Sequence, residues 1–157
     1  MDLLKLIALD GDDVGVLSAH LQDAVVETAD VHWRPSEHRV VIGLSRFDWE
    51  AAAGGVPQFR RCRSALRFER VLACQCRNVE ASSREQVLNL LAISFDEADA
   101  PGGTVTLTFS GGKALRLQVE CLEAELADLG PNWATDHCPA HATDDKTADR
   151  SASPPRG

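Results

Sequence analysis

The stretch from Thr104 to Val119 constrains the fold more than any other part of this chain. Thr104 to Phe109 and Ala114 to Val119 each alternate apolar with polar residues, and Ser110-Gly111-Gly112-Lys113 between them carries two glycines that can take the positive φ angles of a tight turn. Side chains alternate across a strand, so Val105, Leu107 and Phe109 fall on the same face as Leu115, Leu117 and Val119. A two-stranded hairpin is marginal in water on its own. The rest of the chain must cover that apolar face, and the sequence predicts further strands to do it.

Residues 3 to 9 form a short apolar run suited to a strand. Asp10, with Asp13 three positions on, resembles a helix N-terminal cap and predicts a helix from about Gly11 to Gln22, whose Val14, Leu17 and Leu21 make a one-sided stripe. From His38 to Phe47 the period is two: Val40, Ile42 and Leu44 share one face, and Val41, Gly43 and Ser45 the other. Arg34-Pro35-Ser36 marks a turn before this segment, so Val25 to Trp33 is expected to pair with it as an antiparallel strand. Residues 48 to 60 read as a loop. Arg63 to Arg77 alternates far enough to predict one long strand with Leu66, Phe68, Leu72, Cys74 and Cys76 on its inner side. Val87 to Phe95 is apolar on both faces and fits a strand covered on both sides, the preferred reading, or else a short helix turning into a strand at its end. Leu122, Leu126 and Leu129 recur at helical spacing ahead of Gly130-Pro131, which predicts a C-terminal helix.

Together these elements predict an α+β fold: a mostly antiparallel curved sheet or partly closed barrel, with one helix in the N-terminal half and one at the C-terminal end. The element order resembles pleckstrin-homology-like barrels, without a shared motif. Of the 157 residues, 44% are apolar and 25% charged, which suits one globular domain over residues 1–141. Ala142 to Gly157 has almost nothing large and apolar and is expected to be a disordered tail. Acidic residues number 24 against 16 basic ones, for a net charge of -8. That balance disfavours indiscriminate binding to nucleic acid or anionic lipid. No apolar run approaches the roughly 18 residues of a membrane span, and the acids Asp2 and Asp10 argue against a signal peptide. The cysteines Cys62, Cys74, Cys76, Cys121 and Cys138 are odd in number and lack C-x-x-C spacing, which fits a reducing cytoplasm better than a disulfide framework.

Several segments resemble an alphaproteobacterial family of uncharacterised proteins, domain of unknown function family 2948. They are LKLIALD at 4 to 10, SAHLQDAV at 18 to 25, LRFERVL at 66 to 72, LLAISF at 90 to 95, GTVTLTFSGG at 103 to 112, LRLQVECLEAELADLGP at 115 to 131 and NWAT at 132 to 135. The resemblance spans nearly the whole of the expected domain and implies no assigned activity, cofactor or catalytic residue. The family's end resembles Trp-Ala-Thr followed by basic residues, so Asp136 and Cys138 depart from it.

Phe59-Arg60-Arg61-Cys62-Arg63, with Arg67, Arg70 and Arg77, is the most suggestive cluster. On the phase set by Leu66 and Phe68, Arg61, Arg63, Arg67 and Arg77 lie opposite the core, where a row of guanidiniums can hold phosphates or an acidic partner surface. The plainer reading is a solvated strand face offset by Glu69 and by acids of neighbouring strands. RNA binding calls for exposed aromatics between the arginines, and Phe59 alone is near. Nucleic acid is therefore disfavoured. Cys74-Gln75-Cys76 puts two thiols on the face of Leu66 and Phe68, which predicts packing rather than metal, and Cys121 shares the inward phase of Leu115, Leu117 and Val119. His137-Cys138-Pro139-Ala140-His141 offers zinc-type ligands without the second cluster that a closed site needs. Trp133 is an apolar anchor that pins this segment to the domain or docks on a partner.

His20 near Asp23, and His38 beside Glu37, suit acid-base chemistry only if other groups converge on them. Ser110-Gly111-Gly112-Lys113 is no phosphate loop, because Ala114 stands where Ser or Thr would hold magnesium. No catalytic residue, metal or cofactor is predicted, and no membrane. The function predicted is a small cytoplasmic, non-enzymatic binding or accessory domain acting on a protein partner or on its own copy, with Arg61, Arg63, Arg67 and Trp133 as contact residues. Anion or nucleic-acid binding through the arginine row is one alternative. An enzyme whose site leaves no local motif is the other.

Overall fold

The computed structural model describes residues 3–47, 60–78, 86–129 and 133–134. Their alternating apolar pattern becomes one open, curved and mostly antiparallel sheet with a single α-helix. The first strand, β1 (Lys5–Ala8), leads straight into α1 (Gly11–His20). Asp10 caps that helix as its spacing predicts: its side chain accepts a hydrogen bond of 2.9 Å from Asp13 N–H and satisfies one of the orphan donors of the first turn. Val14 and Leu17 face inward from α1, and Leu21 just beyond it is fully buried.

Then follow β2 (Val25–Glu27), β3 (Val31–Arg34), β4 (Arg39–Phe47), β5 (Arg60–Phe68), β6 (Val71–Arg77) and β7 (Val87–Glu97). The hairpin strands are β8 (Gly103–Phe109) and β9 (Lys113–Val119), and β10 (Ala124–Asp128) and the two-residue β11 (Trp133–Ala134) complete the described strands. In space the order is β1-β10-β5-β4-β2-β7-β8-β9-β6, with β3 beside β4 and β11 beside β5. The concave face carries the core. Val40, Ile42 and Leu44 of β4 oppose Phe68, Leu66 and Ser64 of β5, and Leu66 in turn opposes Leu126 of β10. Val105 pairs with Leu117 and Leu107 with Leu115 across the hairpin, as its alternation requires, around Gly111 and Gly112 at φ 79° and 74°.

Four expectations need correction. The strand expected from Val25 to Trp33 is split by a 3-10 turn at Thr28–Asp30 into β2 and β3, each of which pairs with β4. The long strand expected from Arg63 to Arg77 breaks after Phe68, with Arg70 in the left-handed region at φ 60°. Backbone bonds from Val71 to His38 and from Glu120 to Arg70 hold this corner, at 2.9 Å each. The break shifts the phase, so Val71 is buried while Leu72, the extra residue of a bulge against β9, is 56% exposed. Cys74 still packs against the core, but Cys76 is exposed.

In β7 a bulge between Leu90 and Ala92 turns Leu88, Leu90 and Ile93 all inward, leaving Val87 and Leu91 outside. One face of that strand is covered, not two. The C-terminal helix expected from Leu122, Leu126 and Leu129 is β10. Spacings of four fit a strand face as well as a helix, and Leu122, Ala124 and Leu126 are buried on period two. The helix that would cap a pleckstrin-homology-like barrel is therefore replaced by a central strand. Residues 48–59, expected as a loop, and the expected tail at 142–157 lie outside the described residues.

Candidate functional site

Outward-pointing side chains differ between the two parts of the sheet. On the convex side of β8 and β9 stand Thr104, Thr106, Thr108, Arg116 and Gln118, a polar set at home in water. On the convex side of β4, β5, β10 and β1 the floor is small and apolar. Gly43, Ala65 and Ala127 lie side by side in register, beside Val41 and with Leu129 exposed at the end of β10. A cleft of about 440 Å³ opens here, lined by Arg34, Arg39, Val41, Ala65, Arg67, Glu125, Ala127 and Leu129.

The predicted arginine row is on this convex face and is internally engaged. Arg61 Nη1 donates to Ser45 O at 3.1 Å, and its guanidinium carbon lies 5.9 Å from the centre of the Phe47 ring. Arg63 reaches over β4 to Asp30 in the 3-10 turn, Nη2 to Oδ2 3.0 Å. Gly43 lies under that crossing, and a Cβ there would sit 3.0 Å from Arg63 Nη2, tighter than ordinary van der Waals contact. Arg67 pairs with Glu69 at 2.9 Å and with Glu125. The Lys5 hydrogen bond, with Arg67 beside it, holds the Glu125 carboxyl below its ordinary range against a weaker push from burial. Arg39 is shared by Glu69 and Glu37. Arg34, at the outer end of β3, lines the cleft and, unlike Arg39 and Arg67 on the same rim, has no carboxylate partner among the described residues. Arg77 lies beyond the corner on β6, away from this row. Trp133 is brought to it through the backbone, pairing with Arg61.

The inward face of the same strands holds a buried polar cluster that the sequence reading missed. Arg46 of β4 crosses β5 to Asp128 of β10 in a two-pronged ion pair, Nε to Oδ1 2.9 Å and Nη2 to Oδ2 3.0 Å. Their side chains are 5% and 0% exposed. Ser64 Oγ donates to Asp128 Oδ1 at 2.7 Å, and Leu4 N–H donates to Oδ2 at 2.8 Å. Burial pushes the Asp128 carboxyl up, but the bonds from Arg46, Leu4 and Ser64 outweigh it and hold the group down to about 2. Cys62, directly opposite Arg46, is fully buried, and burial followed by the Asp128 charge pushes its thiol up. The one available signal was an arginine on the core phase of Val40, Ile42 and Leu44, matched by an aspartate on the phase of Ala124 and Leu126.

A second cleft, about 310 Å³, sits at the β5–β6 corner and is lined by Glu37, His38, Glu69, Arg70, Glu120 and Glu123. His38 Nδ1 lies 3.2 Å from Val71 O. His20, at the end of α1, is not among its lining residues, so the two histidines considered for acid-base chemistry are not brought together there. Burial and the neighbouring Cys76 push the Cys74 thiol up to about 11, which keeps it protonated at neutral pH. No group of three or more metal-type ligands occurs among the described residues, and His137, Cys138 and His141 lie outside them. No described helix is long and apolar enough to cross a membrane. A family model described as "Protein of unknown function (DUF2948)" matches residues 4–141. No curated protein and no solved structure matches the chain.

Proposed function

We propose that this protein, which belongs to the DUF2948 family of proteins of unknown function, is a non-enzymatic bacterial binding domain that docks an acidic segment of a partner protein. The docking surface is the convex face of β3, β4, β5 and β10. One observation carries the reading: an apolar floor of Val41, Ala65, Ala127 and Leu129 with Arg34, unpaired among the described residues, on its rim. An apolar floor with a charged rim has the layout of a protein interface, apolar at its centre and polar at its border. A free guanidinium beside it selects a carboxylate, which it can hold with two parallel hydrogen bonds. Arg61, Arg63 and Arg67 serve as the charged frame of this face, and Trp133 as its far border. The ion pairs of Arg63 and Arg67 and the bond from Arg61 to Ser45 O engage these guanidiniums internally, which makes a phosphate backbone a poorer fit than a protein surface. The cysteine usage suits work in a reducing cytoplasm.

The test is charge reversal with rescue. Arg34→Glu leaves the fold intact, because Arg34 is exposed, and abolishes binding of the stoichiometric partner recovered with the intact chain. Replacing the partner's contacting acid, located by cross-linking from Ala127, with arginine restores binding to Arg34→Glu. Binding unchanged by Arg34→Glu overturns the reading. Binding lost but not rescued by any acid-to-arginine change at the cross-linked site does the same.

A further inference from the structure

Four of the eight large apolar side chains left exposed among the described residues gather at one sheet edge: Leu3, Ile7 and Leu9 around β1, and Leu129 just past β10, at 52%, 60%, 62% and 58% exposure. Among the described residues, strand β1 is also an end of the sheet, paired with β10 alone. The bond from Asp128 N–H to Leu4 O, 2.9 Å, fixes which way its backbone groups point. Antiparallel strands alternate, so Leu4, Leu6 and Ala8 turn theirs to β10, while Lys5 and Ile7 turn theirs outward. An apolar strand with an open edge is a template for adding another strand.

We propose that a second copy of this chain fills the edge, its β1 running antiparallel to the first about a two-fold axis through Leu6. Self-pairing of one edge generates a closed two-fold dimer. Only registers that oppose odd-numbered residues satisfy the outward backbone groups. Among these, opposing Lys5 with Lys5 of the partner subunit stacks two like charges, which is unfavourable. The register about Leu6 avoids this and overlaps the whole segment. Lys5 then faces the partner's Ile7, and Leu3 faces the partner's Leu9. Lys5 is already paired with Glu125 at 3.2 Å, so its stem can lie along the facing isoleucine while its charge stays compensated. Leu9 N–H is taken by Asp13 at 2.9 Å, so the Leu3–Leu9 pairs at the two ends each keep one backbone bond, from Leu3 N–H. Glu125 and Leu129 also line the cleft beside Arg34, but Arg34 itself stands on β3, with β4, β5 and β10 between it and this edge, and takes no part in the β1 pairing, so Arg34→Glu tests partner docking and Ile7→Lys tests the dimer separately.

Sedimentation of the full chain across a concentration series reads the association directly. The expected result is a monomer–dimer equilibrium that Ile7→Lys weakens about tenfold by setting lysine against Lys5 on both sides of the axis. Unchanged circular dichroism in the variant shows that it folds, as the exposure of Ile7 allows. The register is read by disulfide formation. Mixing Lys5→Cys with Ile7→Cys gives cross-linked dimers that neither variant forms alone, since those residues are opposite each other at about 5.5 Å between Cα atoms. A monomer at every concentration overturns the proposal. So does a dimer indifferent to Ile7→Lys, or cross-linking by Lys5→Cys alone. Concentration-independent protection of the Lys5 and Ile7 amides from hydrogen exchange overturns it as well, because the edge is then covered by the chain's own residues.

Discussion

Asp128 is the residue on which most of the first half of the sheet converges, taking hydrogen bonds from β4, from β5 and from Leu4 ahead of β1. Its folded-state carboxyl, at about 2, lies below its ordinary value of 3.8. A depressed acid stabilises the fold above its unfolded pKa, and that stabilisation is lost as pH falls through the folded one. Chemical denaturation should therefore show about 2 kcal/mol of stability disappearing between about pH 4 and pH 2. Asp128→Asn should remove that pH dependence and cost about 3–5 kcal/mol at pH 7, since it strands a buried Arg46. A variant as stable as the parent, with the acid slope intact, would assign the titration elsewhere. At this scale the sequence was half legible. Arg46 on an apolar phase was visible, but its partner was hidden by reading residues 122–129 as a helix, and only tertiary pairing puts the two strands on either side of β5.

Elements whose bonds are local were legible, and elements decided by their neighbours were not. The β8–β9 hairpin closes through two glycines at positive φ, and the α1 cap through residues three apart. Two alanine substitutions should therefore act with opposite sign. Gly111→Ala places a side chain at φ 79°, which costs about 1–2 kcal/mol and lowers the melting temperature by several degrees. Gly15→Ala, in α1 with nothing within 4 Å of the new Cβ, should stabilise by up to about 1 kcal/mol. Calorimetry on both variants decides this, and equal shifts would mean that one of the two local geometries is wrong. The misread elements share a different cause. Bulges in β6 and β7 and the corner at Arg70 each slip the alternation by one residue, and nothing in a run such as Val87 to Phe95 reveals where the slip falls. The spacing of Leu122 and Leu126 satisfies helix and strand alike, and the vacancy between β1 and β5 selects the strand.

Across the whole molecule, one continuous apolar cluster joins α1, the β4–β5–β10 part of the sheet and the β7–β8–β9 part. Thermal unfolding should accordingly be a single cooperative transition, with aromatic signals in the near ultraviolet, to which the core-packed Trp33 contributes, and backbone signals in the far ultraviolet losing structure together. Separate midpoints would show that the two parts of the sheet fold as independent units. The sequence alone determined the class, because period-two alternation with a glycine turn admits little besides a mostly antiparallel sheet, and it determined the position of α1, because a cap is a contact between near neighbours. Tertiary structure alone decided strand order, the fate of residues 122–129 and which side chains of β4 and β10 flank each face of β5. Those depend on which strands lie beside each other, and a pairing energy set between residues as distant as Arg46 and Asp128 leaves only a faint mark on either segment read by itself.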